Sequence, residues 1–243
     1  MDRKLNINNG FILINKPPGI SSFKVIPKIR LLTKESRVGH AGTLDPFASG
    51  LLIIAIGRQF TKQISKFQDL YKIYKVKMEL GKETDTLDPE GKVTFETSQS
   101  KLSEFSQENL KPQIEAIFQE FLGEQLQTPP MFSAKKVDGE RLYKLARAGK
   151  IVEIEPKKVY FHDFKLDSIE IDMVPYINFT VKCSKGTYIR SLVRDIGHKL
   201  GTYAYTKELG REQIGVYNVA DSMDFDTLDL EQIKKNLFYK CEG

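Results

Sequence analysis

The sequence predicts an α/β protein of the α+β kind, with a mixed, largely antiparallel central sheet flanked by helices. Three observations point there. Residues 51–56 (Leu-Leu-Ile-Ile-Ala-Ile) are an unbroken apolar run between Gly50 and Gly57, the pattern of a strand buried on both faces. Residues 72–80 alternate, with Tyr74, Val76, Met78 and Leu80 on one face and Lys75, Lys77 and Glu79 on the other. Helical periodicities fall irregularly between such strands, which disfavours a string of repeated βαβ units.

The remaining elements follow in order. Residues 10–14 (Gly-Phe-Ile-Leu-Ile) read as a strand closed by Asn15-Lys16-Pro17-Pro18-Gly19. Ser21 or Ser22 can cap a helix running to Thr33, with Pro27 tolerated only near its start. Arg58 to Phe67 reads as helical. Asp88-Pro89-Glu90-Gly91 is a turn before a strand over residues 92–96. Residues 107–122 set Leu110, Ile114, Ile117, Phe118 and Phe121 at helical spacing. Several strands lie within 157–183, one of them with Ile177, Phe179, Val181 and Cys183 on one face. After Ser184-Lys185-Gly186, a helix carries Ile189, Leu192, Val193, Ile196 and Leu200 as its stripe. Asp221 to Leu237 reads as an acidic loop and a short amphipathic helix.

Composition narrows the function. The chain has 243 residues, with 37 Lys and Arg against 32 Asp and Glu, a net charge of +5. Hydrophobic residues at 40% and charged residues at 28% are globular values that argue against disorder. No apolar run reaches the length of a membrane span, and the N-terminus lacks a signal-peptide pattern. Two cysteines, Cys183 and Cys241, make no disulfide framework and suit a reducing, cytoplasmic compartment. Three histidines and no Cys-x-x-Cys argue against a metal site. Phosphate-loop, dinucleotide-fingerprint and serine-elbow patterns are all missing, so nucleotide energy coupling, hydride transfer and serine hydrolase chemistry have no local support. Residues 1–70 carry net +7, residues 71–150 are neutral and residues 151–243 carry −2. A positive first third suits a polyanion such as nucleic acid, or a merely solvated basic face.

The segment richest in chemistry is Gly39-His40-Ala41-Gly42-Thr43-Leu44-Asp45-Pro46-Phe47-Ala48-Ser49-Gly50, which leads into the buried run. Its glycines indicate tight or left-handed turns. Asp45 is the one acid between Glu35 and Asp69, among Arg37, His40, Arg58, Lys62 and Lys66. Cations favour its charged form, and such a carboxylate can serve as a nucleophile or steady a cationic transition state. Its plain alternative is a turn residue before Pro46.

That segment resembles the active-site motif of the bacterial TruB class of tRNA pseudouridine synthases. Four further stretches resemble the class in the same order: Ile14 to Ser22 with its Lys16-Pro17 pair, Tyr71 to Gly81 followed by Thr84 to Asp88, Pro129 to Lys136, and Cys183 to Arg190. Together they cover roughly residues 10–220. The resemblance implies a pseudouridine synthase fold and conversion of the T-loop uridine, conventionally position 55 of tRNA, to pseudouridine. The N1–C1′ bond breaks, the uracil rotates and C5 bonds to C1′, with no metal or cofactor.

The resemblance also implies roles. Asp45 is the catalytic aspartate, which either bonds to C1′ or abstracts a ribose proton to give a glycal. Tyr74 packs on the target base and helps remove the C5 proton. Arg190 pairs with the aspartate; read alone, Arg190 and Arg194 would be a solvated basic edge. His40 helps hold the extruded conformation of the RNA by stacking or insertion. Asp88 lies near the base edge, with turn formation as its rival, and Tyr188 packs beneath the site. Lys16 and Pro17 support the loop. Residues 124–150, with Lys135, Lys136 and Arg141, form a basic insertion that grips the T-stem loop, or else include a solvated helix over 140–148. His162 and His198 are structural or exposed.

Two departures stand out. Leu209-Gly210-Arg211 replaces the Leu-Arg-Arg common in the class, putting a phosphate or structural contact in doubt. The chain reads as a single catalytic domain, acting as a monomer, with a short tail over 221–243 and no appended C-terminal RNA-binding domain. A weaker grip on the acceptor side of tRNA is therefore expected, with the T-stem loop still sufficient for recognition. A non-catalytic tRNA-binding or tRNA-folding chaperone on the same scaffold is the alternative, since it would not need Asp45. A carboxylate-dependent hydrolase is a third reading, lacking an obvious second carboxylate unless Asp85 or Asp88 is recruited.

Overall fold

The computed structural model describes residues 9–133, 136–137, 140–147 and 152–242. Its first elements are β1 (Gly10–Lys16), α1 (Ser22–Thr33), β2 (Val38–His40), β3 (Ser49–Ile56), α2 (Arg58–Thr61), α3 (Ile64–Gln68) and β4 (Lys72–Leu80). Next come β5 (Lys82–Thr84), β6 (Val93–Glu96), α4 (Gln99–Leu102), α5 (Gln107–Phe121), β7 (Gly123–Gln127), β8 (Lys136–Val137), β9 (Glu140–Arg141) and α6 (Leu142–Arg147). The chain continues through β10 (Lys157–Ile171), β11 (Pro175–Cys183), α7 (Ile189–Lys199), β12 (Ala204–Ile214), β13 (Tyr217–Asn218), β14 (Met223–Asp224) and α8 (Leu230–Lys235). It divides into two compact units: residues 1–74 with 210–243, and residues 75–209.

In the first unit β1 runs antiparallel to β3 along its whole length, from Gly10 opposite Ile56 to Lys16 opposite Gly50. Strand β14 adds in parallel to β1, and Gly210 and Arg211 of β12 add in parallel to Ser49 and Gly50 of β3. Because side chains alternate across a strand, this sheet serves two cores. Ile12, Ile14, Leu52, Ile54 and Ile56 meet Val25, Ile26 and Ile29 of α1 and Ile233 of α8. Phe11, Leu51, Ile53 and Ala55 meet Phe60 and Phe67. The doubly buried strand is therefore as expected, and every residue of 50–56 is buried.

In the second unit α5 covers one face of the antiparallel β10–β11 pair. The helix buries the five apolar residues that its spacing singled out. Phe118 stacks on Phe164 at 4.8 Å between centroids and packs against Phe179, while Phe121 meets Phe161 edge-on. Strand β11 buries Ile177, Phe179, Val181 and Cys183 as its alternation requires. The α7 stripe is buried along with Arg190 and Ser191.

Several local expectations are corrected. Residues 58–67 form two short helices rather than one, with Lys62 and Gln63 between them. Ser21 holds the cap position of α1 in an extended conformation but gives no side-chain cap bond, and Pro27 sits inside the helix rather than at its first turn. Ser22, the other proposed cap, turns its hydroxyl to Leu44 instead. Glu79, assigned to the polar face of β4, is buried. Its carboxylate accepts a 2.6 Å hydrogen bond from Tyr205 and pairs with Lys207 at 3.0 Å, so the charge is matched where it is buried. Burial and then the Glu79 carboxylate push the Tyr205 phenol up to about 12.

Candidate active site

The first unit builds the loop that carries Asp45. Lys16 ends β1 with its side chain fully buried. A buried ammonium requires acceptors, and its Nζ donates to the carbonyls of Pro17 and Ile20 (both 2.8 Å), Ala48 (2.6 Å) and Pro46 (3.4 Å). One cation thus ties the segment before α1 to the far side of the Asp45 turn. Gly19 donates to the Pro46 carbonyl at 2.8 Å. Ser22 Oγ donates to the Leu44 carbonyl and accepts from the Leu44 amide, at 3.0 and 2.8 Å. The Asp45 carbonyl accepts from Ala48 at 3.2 Å, closing a tight turn through Pro46. Asp45 is therefore a turn residue, held half-buried in a loop fixed at both ends.

Arg211 fixes the same loop from β12. Its side chain is fully buried, with Nε donating to Leu51 O at 2.8 Å and Nη2 to Gly42 O at 3.1 Å. Arg211, the arginine that remains in the altered Leu209-Gly210-Arg211 stretch, thus makes a structural contact. Gly50 adopts φ +107, and a Cβ there would lie 2.7 Å from the Arg211 backbone nitrogen. Gly42, at φ +90, turns the loop so that its carbonyl faces the guanidinium.

His40 ends β2 within this unit. Its Nδ1 is buried and has no hydrogen-bond partner among the described residues. Burial first, and then the Arg211 cation, lower its pKa, against an opposing pull from the Gly42 backbone. The ring lies edge-to-face with that of Phe23, at 5.0 Å between centroids. Tyr74 stands half-buried on β4, on the face that carries Val76, Met78 and Leu80.

The second unit brings Arg190 and Asp88 together. Both are buried, and Arg190 Nη1 pairs with Asp88 Oδ2 at 3.2 Å. The same guanidinium donates to Thr86 O at 2.6 Å and Phe132 O at 3.0 Å. Asp88 Oδ1 accepts from Thr86 Oγ1 at 2.6 Å and from the Glu90 amide at 3.0 Å. Asp88 thus forms its turn and anchors an arginine at once. Tyr188 precedes α7, where its amide and carbonyl are clasped by the Gln127 side chain at 2.8 and 3.0 Å.

The other predicted residues fall as follows. His198 pairs with Glu83 at 2.7 Å, and His162 lies exposed against Tyr160. Lys135 is outside the described residues. Lys136 and Arg141 sit opposite each other in the β8–β9 hairpin, but their side chains lie outside the description. The expected helix over 140–148 is α6, at Leu142–Arg147. No group of three or more His, Cys, Asp or Glu among the described residues is placed to hold a metal ion, and none of their helices is long and apolar enough to cross a membrane. Sequence reasoning did not single out Phe23, whose only signal was a large aromatic in the first turn of a helix beside a polar lead-in.

Comparison with known proteins adds the context. A family model described as the N-terminal domain of TruB family pseudouridylate synthases matches residues 30–189. A relative from Clostridium kluyveri, named tRNA pseudouridine synthase B, is 45% identical over 227 residues, covering 93% of this chain and 74% of its own. A relative of the same name from Thermotoga maritima is 42% identical over 231 residues, covering 95% and 71%. Among solved structures, a chain of a Cbf5–Nop10–Gar1 complex matches with a TM-score of 0.68 at 24% identity, covering 97% of this chain and 61% of that one. That likeness concerns the fold alone.

Proposed function

The chain belongs to the TruB family of pseudouridylate synthases, and from that membership we propose that it isomerises the T-loop uridine at position 55 of tRNA to pseudouridine. The observation that carries the reading is the Asp45 loop: a carboxylate half-buried in a turn that Lys16, Ser22 and Arg211 hold by their hydrogen bonds. Breaking N1–C1′ builds positive charge on the ribose, and a fixed carboxylate can trap or steady it without first reorganising. The uracil leaves through N1, turns, and bonds through C5 to C1′. The C5 proton is then lost and N1 gains one, so the product is an isomer of the substrate.

Tyr74 is proposed to pack on the base and to help remove the C5 proton. Arg190, fixed by Asp88 and two carbonyls in its own unit, is proposed to answer the negative charge during the reaction. His40 is proposed to occupy the space vacated by the extruded uridine; its lowered pKa favours the neutral ring at neutral pH. Lys135, Lys136 and Arg141 are proposed to meet phosphates of the T stem.

The test uses a T-stem-loop RNA tritiated at uridine C5. The protein should release tritium and yield pseudouridine without free uracil, and Asp45→Asn should abolish release while RNA binding persists. Free uracil would identify a hydrolase. Binding without release would identify a chaperone, and full activity in Asp45→Asn would remove Asp45 from the chemistry.

A further inference from the structure

Phe23 is 61% exposed although it stands in the first turn of α1. Exposed aromatics scattered singly need no explanation. This one is not isolated, since its ring and the His40 ring meet at 80° and 5.0 Å between centroids. The helix start that carries it is also joined to the Asp45 loop. Ser22, its neighbour, exchanges two hydrogen bonds with Leu44, and Lys16 bridges the Ile20 and Ala48 carbonyls. Phe23, His40 and Asp45 therefore sit on one braced piece of backbone in one unit.

We propose that Phe23 and His40 form a two-ring platform that stacks an unpaired nucleobase of the RNA loop, with Phe23 also positioning the His40 imidazole. Three features fit a nucleobase. An exposed phenyl face offers stacking without a sequence requirement, which is how proteins hold unpaired bases. An edge-to-face neighbour restricts the His40 ring while leaving the phenyl accessible. The unit around the platform carries 16 Lys and Arg against 11 Asp and Glu, a net +5 that favours a polyanion over a basic or neutral protein partner. The inference rests on the uridine-isomerase reading for the identity of the RNA, but not for its binding.

The experiment compares the full chain with Phe23→Ala, Phe23→Leu and Phe23→Tyr. It measures affinity for a T-stem-loop RNA by fluorescence anisotropy, affinity for a fully paired duplex of equal length, and tritium release. Phe23→Ala and Phe23→Leu should each weaken loop binding and kcat/KM by about tenfold, the scale of one lost base–aromatic stack. Duplex binding and the thermal midpoint should not change, and Phe23→Tyr should restore both losses. Loop affinity and kcat/KM of Phe23→Ala within about twofold of the parent would overturn the platform, as would an equal loss on the duplex. If the parent binds the loop but releases no tritium, the isomerase reading fails, and the loop-to-duplex ratio still decides the platform. If the parent binds neither RNA, both fall.

Discussion

At the scale of single residues, the loop that carries Asp45 owes its shape to buried cations whose partners are carbonyl oxygens. Lys16 and Arg211 spend donors on backbone, so their charge fixes geometry before it fixes any electrostatics. His40 shows what that arrangement does to a titrating group. Burial, and then Arg211, lower its pKa from an ordinary value near 6.5. The folded chain therefore takes up a proton at lower pH than the unfolded chain. Stability should be unaffected above that value and should decline as pH falls from 6.5 through the folded pKa, because the unfolded state binds the proton first. Urea midpoints measured at about pH 7.5 and 5.5 should thus diverge more in the parent than in His40→Gln. An equal fall in both would place the acid sensitivity elsewhere.

At the scale of elements, the Asp45 loop and β12 pack backbone to backbone. Gly50 faces the Arg211 main chain at φ +107, with no flexible side chain in the way to yield. Gly50→Ala should cost roughly 2–4 kcal/mol, summing a strained φ and a clash with a parallel strand partner. Chemical denaturation measures it, and a loss below about 1 kcal/mol would mean that the two strands separate easily there. This contact shows where sequence legibility stopped. Elements whose burial follows a period were readable: β3 from its unbroken apolar run, α5 and α7 from their stripes, β11 from its alternation. The Asp45 loop was recognisable as a motif, but not the reason for its glycines, because Arg211 lies 161 positions from Gly50. The break at Lys62–Gln63 and the burial of Glu79 were also illegible. Nothing local announces a helix interruption there, and the partners of Glu79 come from a strand far along the chain. Asp88 was readable as a turn, whereas its pairing with Arg190 spans 102 positions and needed the fold.

At the scale of the whole molecule, the positive charge that the sequence concentrates in its first third sorts by unit. Residues 75–209 carry 21 Lys and Arg and 21 Asp and Glu, so the net +5 belongs entirely to residues 1–74 with 210–243. The unit that holds Asp45 and the Phe23–His40 pair is thus also the unit whose average field attracts a polyanion, while the neutral unit is proposed to meet phosphate through individual basic residues, Lys135, Lys136 and Arg141. These two modes differ in how they respond to ions. Phosphate contacts release counterions, so affinity for the T-stem loop should fall at least about tenfold between 50 and 200 mM monovalent salt, the loss expected from only two or three neutralised phosphates. Base stacking releases none, so Phe23→Ala should lower affinity by the same factor at both salt concentrations and leave the slope of log affinity against log salt unchanged. Anisotropy titrations across that range measure both quantities. A flat salt dependence in the parent would mean that the positive unit does not meet the RNA backbone, and a slope reduced by about one in Phe23→Ala would turn the phenyl from a stacking surface into a support for a phosphate contact.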